Sequence, residues 1–283
     1  MGSMFIELFG KRLRNPVMNA SGTLGYGKEI ERLWKISLLG AFVTKGLSIE
    51  PYRGNPQPRI CELGYGLLNR VGLQNIGIKR FLAEYIEFFE KRKTPIIINI
   101  FGFTEEEYIE CAKAIGNHSI VLAIEINLSC PNIKEGGILF GKDPEAIRRI
   151  IKGTKSVTNI PLICKLSQEV TDIIEIARCA YEAGADGLTL INTIPGATFD
   201  RGRFIRGGVS GPFLKSFALK AIHDCANSVP IPIIGVGGIM NVEDAMSFLL
   251  AGAKAIQVGT ATFLDPNAIP KIIKGLRKKM KRT

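Results

Sequence analysis

The sequence predicts an α/β fold: a single (β/α)8 barrel with loops inserted at its C-terminal face. Three observations lead there. Short β-branched runs alternate along the chain with segments of helical period, the pattern of right-handed βαβ units around a parallel sheet. Eight such pairs can be counted, enough to close a ring. Every strand-like run also ends in a polar residue or a glycine, and a barrel gathers its chemistry at those C-terminal strand ends.

Taken in order, the first strand is Pro16–Ala20, which leads into Ser21-Gly22. A helical stretch at 28–36 separates it from Ala41–Lys45, which ends on Thr44-Lys45-Gly46. Leu47–Ile76 exceeds an ordinary connection and reads as an insertion at the catalytic end. Helix 78–92 then leads to strand Ile96–Phe101, carrying Asn99. Thr104 ahead of Glu105-Glu106-Glu107 marks a helix over 104–116, with acids placed at its positive end. Strand Val121–Asn127 and helix 143–157 follow, then strand Leu162–Leu166 with Lys165 and helix 171–183, stopped at Ala183-Gly184. Gly187–Ile191 delivers Asn192-Thr193, and Thr193–Gly211 is a second insertion before helix 212–227. Ile231–Val236 runs into Gly237-Gly238, and Asn241 ahead of Glu243-Asp244 caps helix 241–251. Ala255–Gly259 with Thr260 and a last helix over 266–281 complete the pattern. With no linker or low-complexity tract between them, residues 1–283 read as one domain.

Composition narrows the function. With 46% hydrophobic residues in 283, the chain can bury a full core, yet no run of about 18 apolar residues would span a membrane. Phe5-Ile6-Glu7-Leu8-Phe9 is too short for a secretory signal, so the expectation is a cytoplasmic protein. Six scattered cysteines, with no C-x-x-C pair, argue against a metal site or an iron–sulfur cluster within the chain, and against disulfides. His118 and His223 fall on helix-like segments, as surface or capping residues. The net charge of +11 is concentrated in the amphipathic tail from Lys271 to Arg282. That tail reads as a solvated terminal helix, with nucleic acid or an acidic partner surface as the alternatives.

The most telling residues are Asn127-Leu128-Ser129-Cys130-Pro131-Asn132, where a buried strand gives way to a loop. A carboxamide offers one acceptor and two donors, which suits the edge of a flat polar ring, and a thiol can exchange a proton. A lone intracellular cysteine is otherwise a small buried hydrophobe. Gly136-Gly137 provide hinge material, so Ser129–Phe140 is read as a lid. Lys165 would place an ammonium in the barrel mouth, which demands an anion or a path to the rim. Lys45 and Asn99 invite the same reading. The glycines after the last two strands, Gly235-Val236-Gly237-Gly238 and Gly259, let backbone N–H groups close on a phosphate, a usual barrel site.

Along essentially its full length the chain resembles the class 1 dihydroorotate dehydrogenases. The matching motifs are Asn15-Pro-Val-Met-Asn-Ala-Ser-Gly22, Lys45-Gly46, Gly54-Asn-Pro-Gln-Pro-Arg59, Leu68-Asn69-Arg-Val-Gly-Leu73, Asn127-Leu-Ser-Cys-Pro-Asn132, Asn192-Thr193, Gly207-Gly-Val-Ser-Gly211 and Gly235-Val-Gly-Gly238. The resemblance implies an FMN enzyme that oxidises dihydroorotate to orotate in pyrimidine synthesis. FMN would be held by Ser21, Lys45, Gly46, Asn99, Asn127, Lys165, Ile191, Gly211, Gly237, Gly238, Gly259 and Thr260. The pyrimidine would meet Lys45, Asn69, Gly72, Leu73, Asn127, Asn132, Asn192 and Thr193. Cys130 would be the base at C5 while hydride passes from C6 to flavin N5. Ile133-Lys134-Glu135-Gly136-Gly137 is more similar to the NAD-linked subclass 1B than to the fumarate-linked 1A, whereas Gln168-Glu169 departs from the Pro-Asn of many 1B relatives. Subclass 1B implies a partner subunit carrying FAD and a [2Fe–2S] cluster, on a homodimer core within a heterotetramer. A related dihydropyrimidine dehydrogenase and a tRNA-dihydrouridine synthase are the competing readings. The sequence assigns no role to Arg59 or Arg70 beyond loop packing or substrate contact.

Overall fold

The barrel begins at its floor. In the computed structural model, which describes residues 4–128 and 137–281, a hairpin of Ile6–Leu8 (β1) and Lys11–Leu13 (β2) lies across the N-terminal end. Leu8 and Leu13 pack there on Met18, Ile97, Ile163 and Ile234, which fill the lower interior. The Lys11 ammonium donates to the Ser119 and Val121 carbonyls, tying the hairpin to the barrel wall.

Val17–Asn19 (β3) and Phe42–Val43 (β4) are the first two barrel strands. Ile60–Leu63 (β5) and Gly66–Asn69 (β6) form a hairpin above them. Helix Ile78–Arg92 (α1) leads to Ile96–Ile100 (β7), and Glu105–Ile115 (α2) to Val121–Asn127 (β8). Gly137–Lys142 (α3) and Pro144–Lys155 (α4) precede Leu162–Leu166 (β9), and Ile173–Glu182 (α5) precedes Gly187–Leu190 (β10). Ile194–Asp200 (β11) and Arg203–Ser210 (β12) form a second hairpin. Lys215–Ala226 (α6), Ile233–Val236 (β13), Val242–Leu250 (α7), Ala255–Val258 (β14), Ala261–Leu264 (α8) and Ala268–Met280 (α9) complete the chain.

The eight parallel strands run β3-β14-β13-β10-β9-β8-β7-β4, and the bridge between Met18 and Ala41 joins the two ends. This is the predicted (β/α)8, or TIM, barrel. Because both faces of each strand are covered, alternate residues divide between two interiors. Ile98, Ile124, Cys164, Leu188 and Ile256 face the helices, whereas Ile97, Ala123, Ile163 and Ala255 point into the barrel. One step nearer the C-terminal end the inward positions turn polar, at Asn99, Glu125, Lys165, Thr189 and Gln257, all buried.

The helix starts follow the predicted caps. The Thr104 side chain accepts from Glu107 N–H, Asp143 from Glu145 N–H, and Asn241 from Asp244 N–H at 2.9 Å. The terminal α9 buries Ile269, Ile272, Ile273 and Leu276 against the barrel and pairs Lys279 with Glu243. Three expectations differ. The stretch at 28–36 forms no α-helix but two single turns, Ile30–Arg32 and Ile36–Leu38. Lys35 is extended, and the Glu31 carboxylate accepts the Ile36 N–H in place of a helical carbonyl. His118 lies in the loop after α2 rather than on a helix. Both insertions contain strands: the two hairpins join as one antiparallel sheet, β11-β12-β6-β5. Gly207 hides this in the sequence, since glycine has poor strand propensity. A Cβ there would lie 2.2 Å from the Asn69 carbonyl, so only glycine lets the strands meet. The lid expected over Ser129–Phe140 starts outside the described residues.

The seam between β3 and β4 is closed by a side chain. The Asn19 carboxamide donates to the Val43 carbonyl at 2.7 Å and accepts from the Val43 N–H at 3.0 Å. Asn19→Ala strands both buried backbone groups, which costs about 2–4 kcal/mol. For a chain of this size that lowers the melting temperature by roughly 5–15 °C. A thermal scan of the variant checks it, and an unchanged midpoint would place the seam's strength elsewhere.

Candidate active site

A cavity of about 580 Å³ opens at the C-terminal end of the barrel, roofed by the antiparallel sheet. The strand ends supply its wall, each for the same reason. An inward residue at the top of a buried strand cannot reach bulk water, so it faces either its neighbours or whatever fills the cavity. Ser21, Lys45, Gly46, Asn99, Asn127, Lys165, Ile191, Gly237, Gly238, Gly259 and Thr260 line it, and so do Asn69, Leu73, Asn192 and Thr193. The structure therefore gathers fifteen of the predicted site residues around one space. Gly72 and Gly211 are not among the lining: a Cβ at Gly72 would strike Asn55, and Gly211 opens a turn against Tyr65 and Gly66. Cys130 and Asn132 lie outside the described residues.

Two ends of the cavity differ in chemistry. At one, Gly237 and Gly238 follow β13 with φ of +123° and +78°, and Gly259 and Thr260 follow β14. A side chain at Gly238 would come within 2.8 Å of the Lys215 N and 3.0 Å of the Gly211 carbonyl. Only glycine permits this crowded turn, which leaves backbone N–H groups to face an anion. The Asp244 carboxylate braces the turn from behind: it accepts from Met240 N–H at 3.0 Å and pairs with the Lys215 ammonium. Thr260 Oγ1 donates to Ser210 Oγ at 2.9 Å, linking this end to the roof.

At the other end stand carboxamides and cations. Asn192 Nδ2 donates to Asn127 Oδ1 at 3.2 Å, and Asn69 Nδ2 donates to the Gly208 carbonyl at 2.9 Å. Lys45 Nζ donates to Gln74 Oε1 at 2.6 Å. Burial, and then the nearby Arg59 guanidinium, hold the Lys45 ammonium below the usual lysine range. Two cations in a half-buried wall favour an anionic guest. Arg59 itself lines the cavity, oriented by the carbonyls of Asn55 at 2.7 Å and Arg53 at 3.0 Å, whereas Arg70 is not among the lining. Leu73 keeps a φ of +56°, and Asn75 Nδ2 holds its carbonyl at 3.0 Å.

The residues fit a flat heteroaromatic cofactor with a phosphate tail. Asn99 Oδ1 is buried with no hydrogen-bond partner, an acceptor aimed at a donor the protein does not supply. Gly46 leaves the space beside it, since a Cβ there would lie 3.0 Å from that oxygen. The volume lies in the range of cofactor sites. No cluster of side chains among the described residues could hold a metal ion.

Sequence reading missed the layer beneath. Glu125 is wholly buried and collects Asn99 Nδ2 at 2.7 Å, Thr189 Oγ1 at 2.7 Å and Gln257 Nε2 at 2.8 Å, with Lys165 Nζ at 3.9 Å. The signal was a single acid inside an otherwise apolar run, Val121–Ile126, where an unpaired charge is not tolerated. Gln74, Thr189 and Gln257 carried no comparable signal.

The family described as dihydroorotate dehydrogenase matches the chain over residues 3–280. The dihydroorotate dehydrogenase B (NAD(+)) catalytic subunit of Caldicellulosiruptor saccharolyticus is 46% identical over 283 residues, 98% of this chain and 94% of that one. The like-named subunit of Geotalea uraniireducens is 47% identical over 277 residues, 96% and 91% of the two chains. That of Geobacter sulfurreducens is 48% identical over 273 residues, 94% and 90%.

The described cysteines are free and buried. Burial pushes the Cys111 and Cys225 thiols up to about 12 and raises Cys164 and Cys179 as well. Thiolate is the reactive form, so iodoacetamide at about pH 8 leaves Cys111, Cys164 and Cys225 unmodified in the folded protein. Peptide mass spectrometry before and after denaturation reads this, and modification of Cys111 at the rate of a free thiol would contradict it.

Proposed function

The chain belongs to the dihydroorotate dehydrogenase family, and from that membership we propose that it oxidises (S)-dihydroorotate to orotate in pyrimidine biosynthesis, with FMN in the barrel-mouth cavity. The observation that carries the reading is the cavity itself: a glycine-walled anion end, an orphaned acceptor on Asn99, and a carboxamide wall flanked by Lys45. FMN bound there supplies the hydride acceptor. Gly237, Gly238, Gly259 and Thr260 hold its phosphate, while Lys165, Asn99, Ser21 and Gly46 hold its ring, and Ile191 packs against it. Asn69, Asn127, Asn192 and Thr193 pair with the donor and acceptor edge of the pyrimidine. Lys45 meets the negative charge of the substrate and fixes its orientation. Cys130, which follows β8 in the sequence, takes the C5 proton; Asn132 completes the carboxamide set.

The electrons leave through a second subunit. The named relatives are NAD(+) catalytic subunits, which supports a partner subunit and NAD(+) as the acceptor. That the partner bears FAD and a [2Fe–2S] cluster, on a cytoplasmic homodimer of this chain, is part of the same proposal and rests on the subclass resemblance of the sequence. No helix among the described residues is long and apolar enough to cross a membrane.

Two measurements test the reading. Dihydroorotate added anaerobically to the FMN-loaded protein bleaches the flavin band within one turnover. Cys130→Ala keeps the flavin but slows that bleaching by at least about 100-fold, the usual scale of a lost general base. A loaded wild-type protein that stays yellow would sink the substrate assignment, and an undiminished rate in the variant would remove Cys130 from the chemistry. The second concerns Lys45, whose pKa burial lowers and a bound anion raises. Orotate binding therefore takes up a proton once the pH exceeds the lowered value, and affinity is lost as pH climbs further. Lys45→Met weakens orotate by about 10–100-fold at neutral pH. That ratio shrinks as pH rises through the alkaline range, because only the wild type has a charge to lose. Calorimetric titration of both proteins from neutral to alkaline pH measures it. A ratio independent of pH would mean that the lysine is not in contact with the anion.

A further inference from the structure

A carboxylate with no exposed surface lies directly below the cavity that the proposed function fills with flavin. Glu125 sits midway along the inward row of β8, one inward position below Asn127. Its neighbours come from four other strands: Asn99 of β7, Lys165 of β9, Thr189 of β10 and Gln257 of β14. Two of these, Asn99 and Lys165, line the cavity as well. Glu125 thus touches the wall of the site from behind without lining it.

Its two oxygens accept from Asn99, Thr189 and Gln257, and this sets the orientation of what surrounds them. Asn99 must turn Nδ2 down to the carboxylate, at 2.7 Å, which leaves Oδ1 as the buried acceptor without a partner. Gln257 is fixed likewise, with Nε2 on Glu125 at 2.8 Å and Oε1 without a partner. Lys165, only 6% exposed, has the Glu125 negative charge 3.9 Å from its ammonium. Interior charges interact strongly because little water screens them.

We propose that Glu125 is a positioning residue for the cofactor: it sets the polarity of the cavity floor by offsetting the Lys165 charge and by holding Asn99 with its oxygen outward. This rests on the flavin reading of the cavity. Without the carboxylate, the positive charge of Lys165 is less offset at the cavity floor and the Asn99 amide is free to turn its NH2 outward. Both changes favour added electron density on a bound flavin ring.

Sulfite titration reads this without turnover, because sulfite donates its electron pair reversibly to N5 of an oxidised flavin and bleaches its visible band. Glu125→Gln keeps the side-chain length, so FMN loading and circular dichroism serve as folding controls. The sulfite dissociation constant tightens at least tenfold in E125Q and stays within threefold of wild type in E125D, which restores the charge. An E125Q protein loaded with FMN and unchanged within threefold would overturn the proposal. Where E125Q alone does not fold, E125Q/K165M removes both charges together and is compared with K165M. The sulfite dissociation constant is then at least tenfold tighter in E125Q/K165M than in K165M, because only the double variant loses the negative charge and frees the Asn99 amide, and agreement within threefold overturns the proposal. A wild-type protein that takes up no FMN would overturn the flavin reading instead, an outcome distinct from a loaded but insensitive variant.

Discussion

A closed ring of parallel strands has no water inside it, and the rest of this architecture follows from how the chain fills that space. Over the lower half the answer is apolar: Met18, Ile97, Ile163 and Ile234, sealed by the β1–β2 hairpin. Over the upper half it is a charge, Glu125, surrounded by Asn99, Lys165, Thr189 and Gln257. A buried anion is tolerated only when its lone pairs are met by donors, and each donor here comes from a different strand. Such an arrangement fixes the strands relative to one another as firmly as packing does. It also fails as a unit, since removing any member leaves a charge or a donor stranded.

The same constraint explains why the site can be rigid without being filled by protein. Side chains above the Glu125 layer are held from below or from the side: Asn99 by the carboxylate, Lys45 by Gln74, Asn127 by Asn192. Their remaining polar capacity faces the cavity. The Asn99 oxygen shows this most clearly, because it is buried, oriented and without a partner. Natural folds leave few such atoms, and those that persist mark a ligand or a water more often than an error of packing.

Much of this was legible in the sequence, for physical reasons that can be named. Strand and helix periods fixed the barrel, and the strand ends anticipated thirteen of the residues around the cavity, because local periodicity and chain order determine both, whereas Asn69 and Leu73 came only from the family resemblance. What stayed hidden depends on long-range contact. Gly207 and Gly208 read as loop, yet they are the strand that passes within contact of Asn69. The stretch at 28–36 has helical spacing, but the Glu31 carboxylate captures the N–H that would have continued the helix. Gln74 sits in a loop with nothing local to distinguish it, and only the fold brings it 2.6 Å from Lys45. Glu125 was visible but unread, an acid inside a strand buried on both faces.

The division between floor and rim also orders the chemistry. A group that accepts hydride and passes electrons onward has to keep its geometry through both charge states, so its supports belong on strands. Lys165, Asn99 and Asn127 are strand residues, and the anion-binding turns follow directly from β13 and β14. The substrate, by contrast, has to enter and leave. Lys45, Gln74 and Arg59 come from the segment after β4, and Asn192 and Thr193 from the turn after β10, while Asn69 and Asn127 reach the cavity from β6 and β8. The barrel thus divides the cavity between a floor set by residues of the buried strands and a rim supplied largely by the segments after β4 and β10.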